Sequence, residues 1–375
     1  MGGGHAHLEV LRHCVVNGIP PGAEVVLVSP VPHHVYTGMV PGYLHGAYDV
    51  GCIAFDLPTI CRAGGVRYVE AMAERVSGTE RVVNVGRTSI EFDSASLDVG
   101  SVPSGGMDSA VLDHASVVRP LPQLLALRAR LDDLARASSD SIPVVTVVGA
   151  GAAGVEVALA IRAMLSAARV TAMVAITDES SDVLPGYPRS ARRRARSILE
   201  AHGLHVAMSE RVTSVGARTI SLADGTRVES DVTVWLAGAA PPPVLAASDL
   251  PLDGDGFFRV DRHLRSVDGA PVWGAGDCVT MVDAPGTPKA GVYAVREGPV
   301  LAQNLWASLG AGIATAYTPQ PDFLVVLDTA DGKALLRWRG LVSHSRWALW
   351  LKRRIDRRFM NRYTTLTDEV KQQQR

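Results

Sequence analysis

Val144 to Val148 is a β-branched run between Pro143 and Gly149. Apolar on both faces, it reads as a strand buried in a parallel sheet. From Val155 to Met164 the apolar positions change to helical spacing, so strand, glycine turn and helix follow in order. Leucines at 121, 124, 125, 127, 131 and 134 predict a helix over about 119–137 upstream, and Val170 to Thr177 predicts the next strand. The N-terminal hundred residues show the same plan. Leu8, Leu11 and Val15 have helical spacing, a Pro-Pro-Gly turn follows, and Glu24 to Ser29 reads as a strand. Val66 to Phe92 alternates as short strands (Arg67–Val69, Arg81–Val85, Ser89–Phe92), the pattern of a meander. Ser96 to Ser101 ends that half as a strand running into a turn at Gly100. The second half repeats this with short strands over Val206 to Leu236 around an Asp224-Gly225 hairpin signal. It exits through Trp235 to Pro241, with Gly238 in the turn. This duplication points to two similar α/β units.

The turns carry the chemistry. Gly149, Gly151 and Gly154 have the G-x-G-x-x-G spacing between strand and helix. The first makes the tight turn, the second lets a pyrophosphate approach the backbone, and the third lets helix and strand pack closely. Gly2 and Gly4 open the chain in the same register, with His7 where the third glycine is usual and only Met1 ahead of them. The first strand of that unit is therefore expected to be missing, with a chain start a few residues upstream as its explanation. Asp178 ends the strand after the second loop, where an acid bonds ribose hydroxyls and repels a 2′-phosphate, favouring NADH over NADPH. The Arg189 to Arg196 run is expected to be a solvated helix face; as a 2′-phosphate clamp it would reverse that preference. Later, Val272 to Val279 is a short strand ending in Gly276-Asp277, and Pro288 to Gly298 opens a helix running to about Leu309. Asp277 would bond a ribityl hydroxyl, and the helix start near Ala290 would present N–H groups to a flavin carbonyl. Val31 to Tyr48 is loop-rich, and its His33 and His34 are expected to be solvated.

Composition narrows the class. The 375 residues suit two or three domains, and a net charge of −1 argues against a general nucleic-acid binder. Cys14, Cys52, Cys61 and Cys278 form no C-x-x-C pair, which suits a reducing cytoplasm, and no metal cluster is expected. No stretch reaches the ~18 apolar residues of a membrane span.

Gly-Gly-Gly-His-Ala-His, Gly-Ala-Gly-Ala-Ala-Gly-Val-Glu and Gly-Ala-Gly-Asp together resemble the pyridine nucleotide-disulfide oxidoreductase superfamily. Within it the chain is most similar to type II NADH:quinone dehydrogenases, and to the branch found fused to selenide, water dikinase. Tyr36 to Gly42, Lys289 to Gly298 and Lys352 to Met360 carry the second likeness. The resemblance implies an FAD domain over residues 1–112 and 244–318, an NAD(P)H domain over 113–243, and a C-terminal α+β region over 319–375. It implies FAD at Gly2, Gly4, Ser29, Gly100, Gly276, Asp277 and Ala290, although Ser29 stands where an acid is common. It implies NADH at Gly149, Gly151, Gly154, Asp178 and Gly238. Glu156 beside the nicotinamide and Lys289 at the flavin are the candidate catalytic residues. The cysteine pairs of disulfide reductases are lacking, leaving hydride transfer from NAD(P)H to flavin and onward to a quinone or similar small acceptor. The quinone-site helix motif Ala-Gln-x-Ala-x-Gln-Gln-Gly is altered here, with Arg296 and Glu297 replacing both later glutamines. A slow redox-sensing or accessory flavoprotein, with a selenium link, is the alternative. A flavin-free scaffold is weaker.

From Lys333 to Arg362 the chain is basic, with Trp338, Trp347, Trp350 and Phe359 interleaved. On a helix Trp347, Trp350, Leu351, Ile355 and Phe359 form one stripe, with Lys352, Arg353 and Arg357 elsewhere. The stripe fits an interfacial anchor on the cytoplasmic face of the inner membrane, or packing against the flavin domain. A homodimer is left open.

Overall fold

The chain folds as two parallel sheets built to one plan, seen in a computed structural model that describes residues 1–105, 111, 113–137 and 142–373. Helix α1 (His5–Asn17) buries Ala6, Leu8, Leu11 and Cys14, the spacing read from the sequence. Strand β1 (Val26–Ser29) pairs in parallel with β2 (Arg67–Glu70), and β3 (Ala95–Leu97) lies beyond. Between β1 and β3 sits Met1. Its amino group donates to Ser96 O at 2.7 Å, its carbonyl accepts from Asp98 N, and Gly2 N donates to Val28 O. One residue thus occupies the slot of the expected first strand. The His7 ring also bridges the slot, through Gly2 O on Nδ1 and Ser96 Oγ on Nε2.

The second unit runs through β4 (Ala115–Ser116), α2 (Leu121–Arg136), β5 (Val144–Val148) and α3 (Ala152–Ala167). It continues with β6 (Met173–Asp178), α4 (Arg189–Ala201), β7 (His205–Met208) and β8 (Val232–Trp235). Its five strands are all parallel, in the order β7-β6-β5-β8-β4. Every residue of β5 is buried, as a strand covered by helices on both faces requires. The chain then returns to the first sheet as β9 (Val272–Gly274), parallel to β3. The order β2-β1, Met1, β3-β9 therefore repeats β7-β6, β5, β8-β4.

Two expectations are corrected. Arg67–Val69 is not part of the meander but is the parallel edge strand β2, and His205–Met208 likewise extends the second sheet. Period-two patterning does not distinguish a parallel from an antiparallel neighbour. The meanders themselves are three-stranded and shorter, over Arg75–Glu91 and Val212–Glu229, and the second has the expected hairpin, with Leu222 N donating to Thr226 O. The domain boundary expected at residue 112 lies outside the described residues.

Helix α5 (Gly291–Ser308) packs against α1; a Cβ on Gly298 would lie 2.8 Å from Glu9 Cβ, so only glycine allows this approach. Strands β10 (Val325–Asp328), β11 (Ala334–Trp338) and β12 (Leu341–Ser345) form an antiparallel sheet, and α6 (Arg346–Gln373) follows. Lys352, Asp356, Met360 and Tyr363 are its buried face. The expected aromatic stripe is split: Phe359 stacks on Tyr36 at 4.5 Å and touches Phe55, while Trp347 and Trp350 are 58% and 55% exposed. Lys352, placed among the cationic flanks from its sequence, is buried, because the buried face runs one position off that stripe. Glu9 of α1 accepts from Arg362 at 2.8 Å and from the Tyr363 hydroxyl at 3.1 Å, tying the helix end to the first unit. Tyr363→Ala is expected to lower stability by about 3 kcal/mol, the usual cost of truncating a buried aromatic, read from the denaturant midpoint.

Candidate functional site: two nucleotide loops and a buried ion network

At the second loop Gly149 has φ +109°, and a Cβ there would lie 2.7 Å from the Leu236 carbonyl. Its N–H donates to Thr177 O, joining the turn to β6. A Cβ on Gly154 would lie 1.8 Å from Gly149 O, so the third glycine is where helix and turn touch. At Gly151, the N-cap of α3, added bulk meets nothing within 4 Å. Closed contact at the outer glycines and an open face at the middle one form a cradle that fits a pyrophosphate at a helix N-terminus. Asp178 stands beside it, accepting from Ala150 N at 2.7 Å and from Ser180 N at 2.8 Å. Gly238 ends β8 with φ +53°. Of the arginine run, Arg192 and Arg196 face Asp182 at 3.7 and 3.1 Å, which engages part of the alternative clamp.

The first loop matches the second at its first two glycines and at the glycine of its strand exit, with His7 where the second has Gly154; Gly2 has φ +83° and Gly100 φ +69°. A Cβ on Gly2 would meet Asp98 O and Val99, as one on Gly149 would meet Leu236 and Ala237. Gly276 (φ +74°) donates its N–H to Glu297 Oε2 at 2.6 Å, and Ser101 Oγ donates to Asp277 at 3.4 Å. Ala290 is the N-cap of α5, and Lys289 beside it donates to Val279 O and to Thr280 Oγ1. The Lys289 ammonium lies 4.1 Å from the Phe257 ring centre. Lys289, Asp277, Tyr293 and Glu297 line one cavity, so the Gly-Asp turn and the helix start do converge. Burial pulls the Lys289 pKa down and pushes Glu297 up to about 7. Ser29 is buried and spends its hydroxyl on Val31 O at 3.0 Å. The turns, the acid and the helix start fit FAD, with one unusual neighbour, the Asp98 carboxylate.

Glu156 is buried in a network that joins both units and the tail. It accepts from Asp328 N at 2.7 Å and lies 3.8 Å from Lys352 Nζ. Lys352 also donates to Gly38 O at 2.7 Å and approaches Asp356 at 3.4 Å, while the Tyr36 hydroxyl donates to Asp356 at 3.1 Å. His45 stands 3.4 Å from Asp328. Burial raises Glu156 to about 7 against the pull of Lys352; burial also disfavours the Lys352 ammonium, but Glu156 and Asp356 outweigh it and hold its pKa above the ordinary value. Sequence reasoning missed Asp328, Asp356 and the role of Lys352. A signal was present, because Asp356 is the lone acid within the basic run and sits four residues from Lys352.

Burial pushes the Cys14, Cys61 and Cys278 thiols up to about 12, so they are protonated near neutrality. Among the described residues no group of His, Cys, Asp and Glu is placed to hold a metal, and no helix is long and apolar enough to cross a membrane.

Two Rossmann-like units with paired nucleotide loops, one inserted in the other, define a two-dinucleotide flavoprotein. The family model for pyridine nucleotide-disulphide oxidoreductases matches residues 1–298, and the chain belongs to that family. It is an FAD-dependent NAD(P)H oxidoreductase. It is 22% identical over 306 residues to the NADH dehydrogenase-like protein YutJ of Bacillus subtilis, covering 82% of each chain. It is 24% identical over 229 residues to the demethylphylloquinone reductase NdbB of Synechocystis, covering 60% of this chain and 56% of that one. Among solved structures, NDH2 of Plasmodium falciparum in complex with NADH superposes with a TM-score of 0.78 at 13% identity, over 99% of this chain and 97% of that one. The sulfide:quinone oxidoreductase of Aquifex aeolicus gives 0.78 at 16% identity, over 97% and 90%.

Proposed function

We propose that the protein oxidises NADH through FAD and passes the electrons to a quinone-type acceptor. The observation that carries this is the pair of matched loops, one opening beside Asp178 and the other converging on the Asp277–Lys289 cavity. Residues 1–112 and 244–318 hold FAD in this reading, residues 113–243 hold NADH, and 319–375 cover them. Gly2, Gly4, Gly100, Gly276, Asp277 and Ala290 serve the flavin, with Ser29 a supporting residue of that pocket. Gly149, Gly151, Gly154, Asp178 and Gly238 serve the nicotinamide nucleotide. FAD, when bound, supplies the hydride-accepting ring and the two-electron store. The chain's residues bind, orient and exclude water, and Lys289 with the start of α5 presents positive charge at the cavity. Glu156 anchors the second loop's helix through Lys352. The quinone is supported by the names of the similar proteins, NdbB among them. An accessory or sensing role is favoured by one feature, the replacement of the two later glutamines of the quinone-helix motif by Arg296 and Glu297. Anaerobic mixing with NADH followed by a quinone separates the two readings. The dehydrogenase bleaches and recovers within turnover time, whereas a sensor bleaches slowly and ignores the quinone.

Asp178 favours NADH. Asp178→Ala is expected to erode the NADH preference about tenfold, read as the ratio of NADH and NADPH bleaching rates. A related NADH oxidase of Lactobacillus brevis was engineered to take NADPH by changes that include losing an aspartate and gaining arginines, the same direction of effect.

Trp347 and Trp350, with Arg354, Arg357 and Arg358 along the outer face of α6, suit the surface of an anionic membrane. Vesicle flotation should recover the wild type with anionic lipid and leave a Trp347→Ser/Trp350→Ser variant behind. Point changes are the right probe, because deleting α6 would also remove buried packing.

A further inference from the structure

The two loops differ at one place that faces the cofactor. Where the second has Leu236 at the strand exit, the first has Asp98, whose side chain turns under the start of α1. Asp98 Oδ2 accepts from His7 N at 2.8 Å, and Ala6 N also donates to the carboxylate. These are first-turn donors of the helix whose N-terminus opens the flavin loop. Both carboxylate oxygens lie within 2.5 Å of where a Gly4 Cβ would be, and Oδ1 also reaches Gly276. A Cβ on Gly4 would lie 2.3 Å from Oδ1 and one on Gly276 2.8 Å, so this oxygen sits between the two glycine turns assigned to FAD. At Gly151, the counterpart of Gly4, the same space is open.

An ionised carboxylate in that gap would meet the diphosphate of FAD as a like charge in a water-poor site. We propose that FAD uptake is coupled to protonation of Asp98. Oδ1 takes one proton from solvent and donates it as a hydrogen bond to a diphosphate oxygen, while Oδ2 keeps the helix donors. The proposal rests on FAD occupying the first loop.

Apart from Arg119, whose guanidinium donates to Ser101 O at 3.3 Å, the surroundings supply little positive charge to do this instead. On α1, burial first and then the nearby Met1 amine hold His7 down to about 3, so its ring is neutral. The Met1 amino group is lowered to about 6 by burial and is largely neutral above that pH. From the Gly-Asp turn come the Asp277 carboxyl and the Cys278 thiol, and from α5 comes Glu297, itself raised to about 7 by burial. Lys289 is turned to Val279 O. Burial lifts Asp98 to about 7, against its helix donors, so the proton is available near neutrality.

The test is calorimetric titration of flavin-stripped protein with FAD at pH 8, in two buffers of different ionisation enthalpy. Wild type is expected to take up about one proton or more per FAD, with affinity falling up to about tenfold per pH unit above neutrality. Asp98→Asn should take up about one proton fewer and bind about tenfold tighter at that pH. Glu297→Gln should keep the Asp98 component. Wild-type binding without proton uptake, or equal uptake by Asp98→Asn, overturns the proposal, and the wild-type count decides even where the variant does not fold. Wild type that takes no FAD removes the flavin reading as well.

Discussion

Gly154→Ala is expected to abolish NADH-driven bleaching, by at least about a hundredfold, in a protein that still carries its yellow flavin. The added methyl would sit 1.8 Å from the Gly149 carbonyl oxygen, so α3 must move away from the turn proposed to hold the pyrophosphate. Displacement of about 1 Å is enough for a loss of that size in a positioned reaction. The control is Gly151→Ala. Its methyl meets no protein atom, so folding should be untouched while the bulk enters the nucleotide's path. Anaerobic stopped-flow with an NADH concentration series should therefore show weaker NADH saturation for Gly151→Ala with unchanged stability. Gly154→Ala should lose stability too. Two glycines three residues apart thus report separately on packing and on ligand approach.

Lys352→Ala carries the largest expected effect on stability. It leaves Glu156, Asp356 and Asp328 buried together without their shared cation and frees the Gly38 carbonyl. Removing one partner from a buried ionic group typically costs about 3–5 kcal/mol. A large fall in the urea midpoint is expected, whereas Arg353→Ala, one position along on the exposed face, should change it by no more than about 0.5 kcal/mol. Lys352→Arg keeps the charge but not the geometry and should fall between them. Raising the pH ionises Glu156 further, and with Lys352 absent that ionisation has no cation to offset it. The variant's deficit should therefore widen from pH 6 to pH 8.

Much of the fold was legible because the informative signals are local. The β-branched run before Gly149, the helical spacing after it and the glycine-bearing strand exits at Gly100 and Gly238 each sit within one stretch of chain. What was not legible depends on partners distant in sequence. Arg67–Val69 alternates like a meander strand and becomes a parallel edge only because Val26–Ser29 lies beside it. The tail's aromatic pattern gave a helix, but which face is buried depends on Tyr36, Glu9 and Glu156, 196 to 354 residues away in sequence. Glu156 was recognised from its place after the glycine motif, while its partners Lys352 and Asp328 come from the C-terminal region. Asp98 was read only as part of a strand exit, since its importance lies in what Gly4 and Gly276 leave open around it.

The tail helix has one further effect. Lys352 touches Gly38 of the first unit and Glu156 of the second within a single side chain, and Tyr363 fastens the same helix to α1 a few turns on. It acts as a tie-bar across two halves that the backbone joins only at the two crossings. The separation between the two glycine loops is then a property of the frame, set when the protein folds.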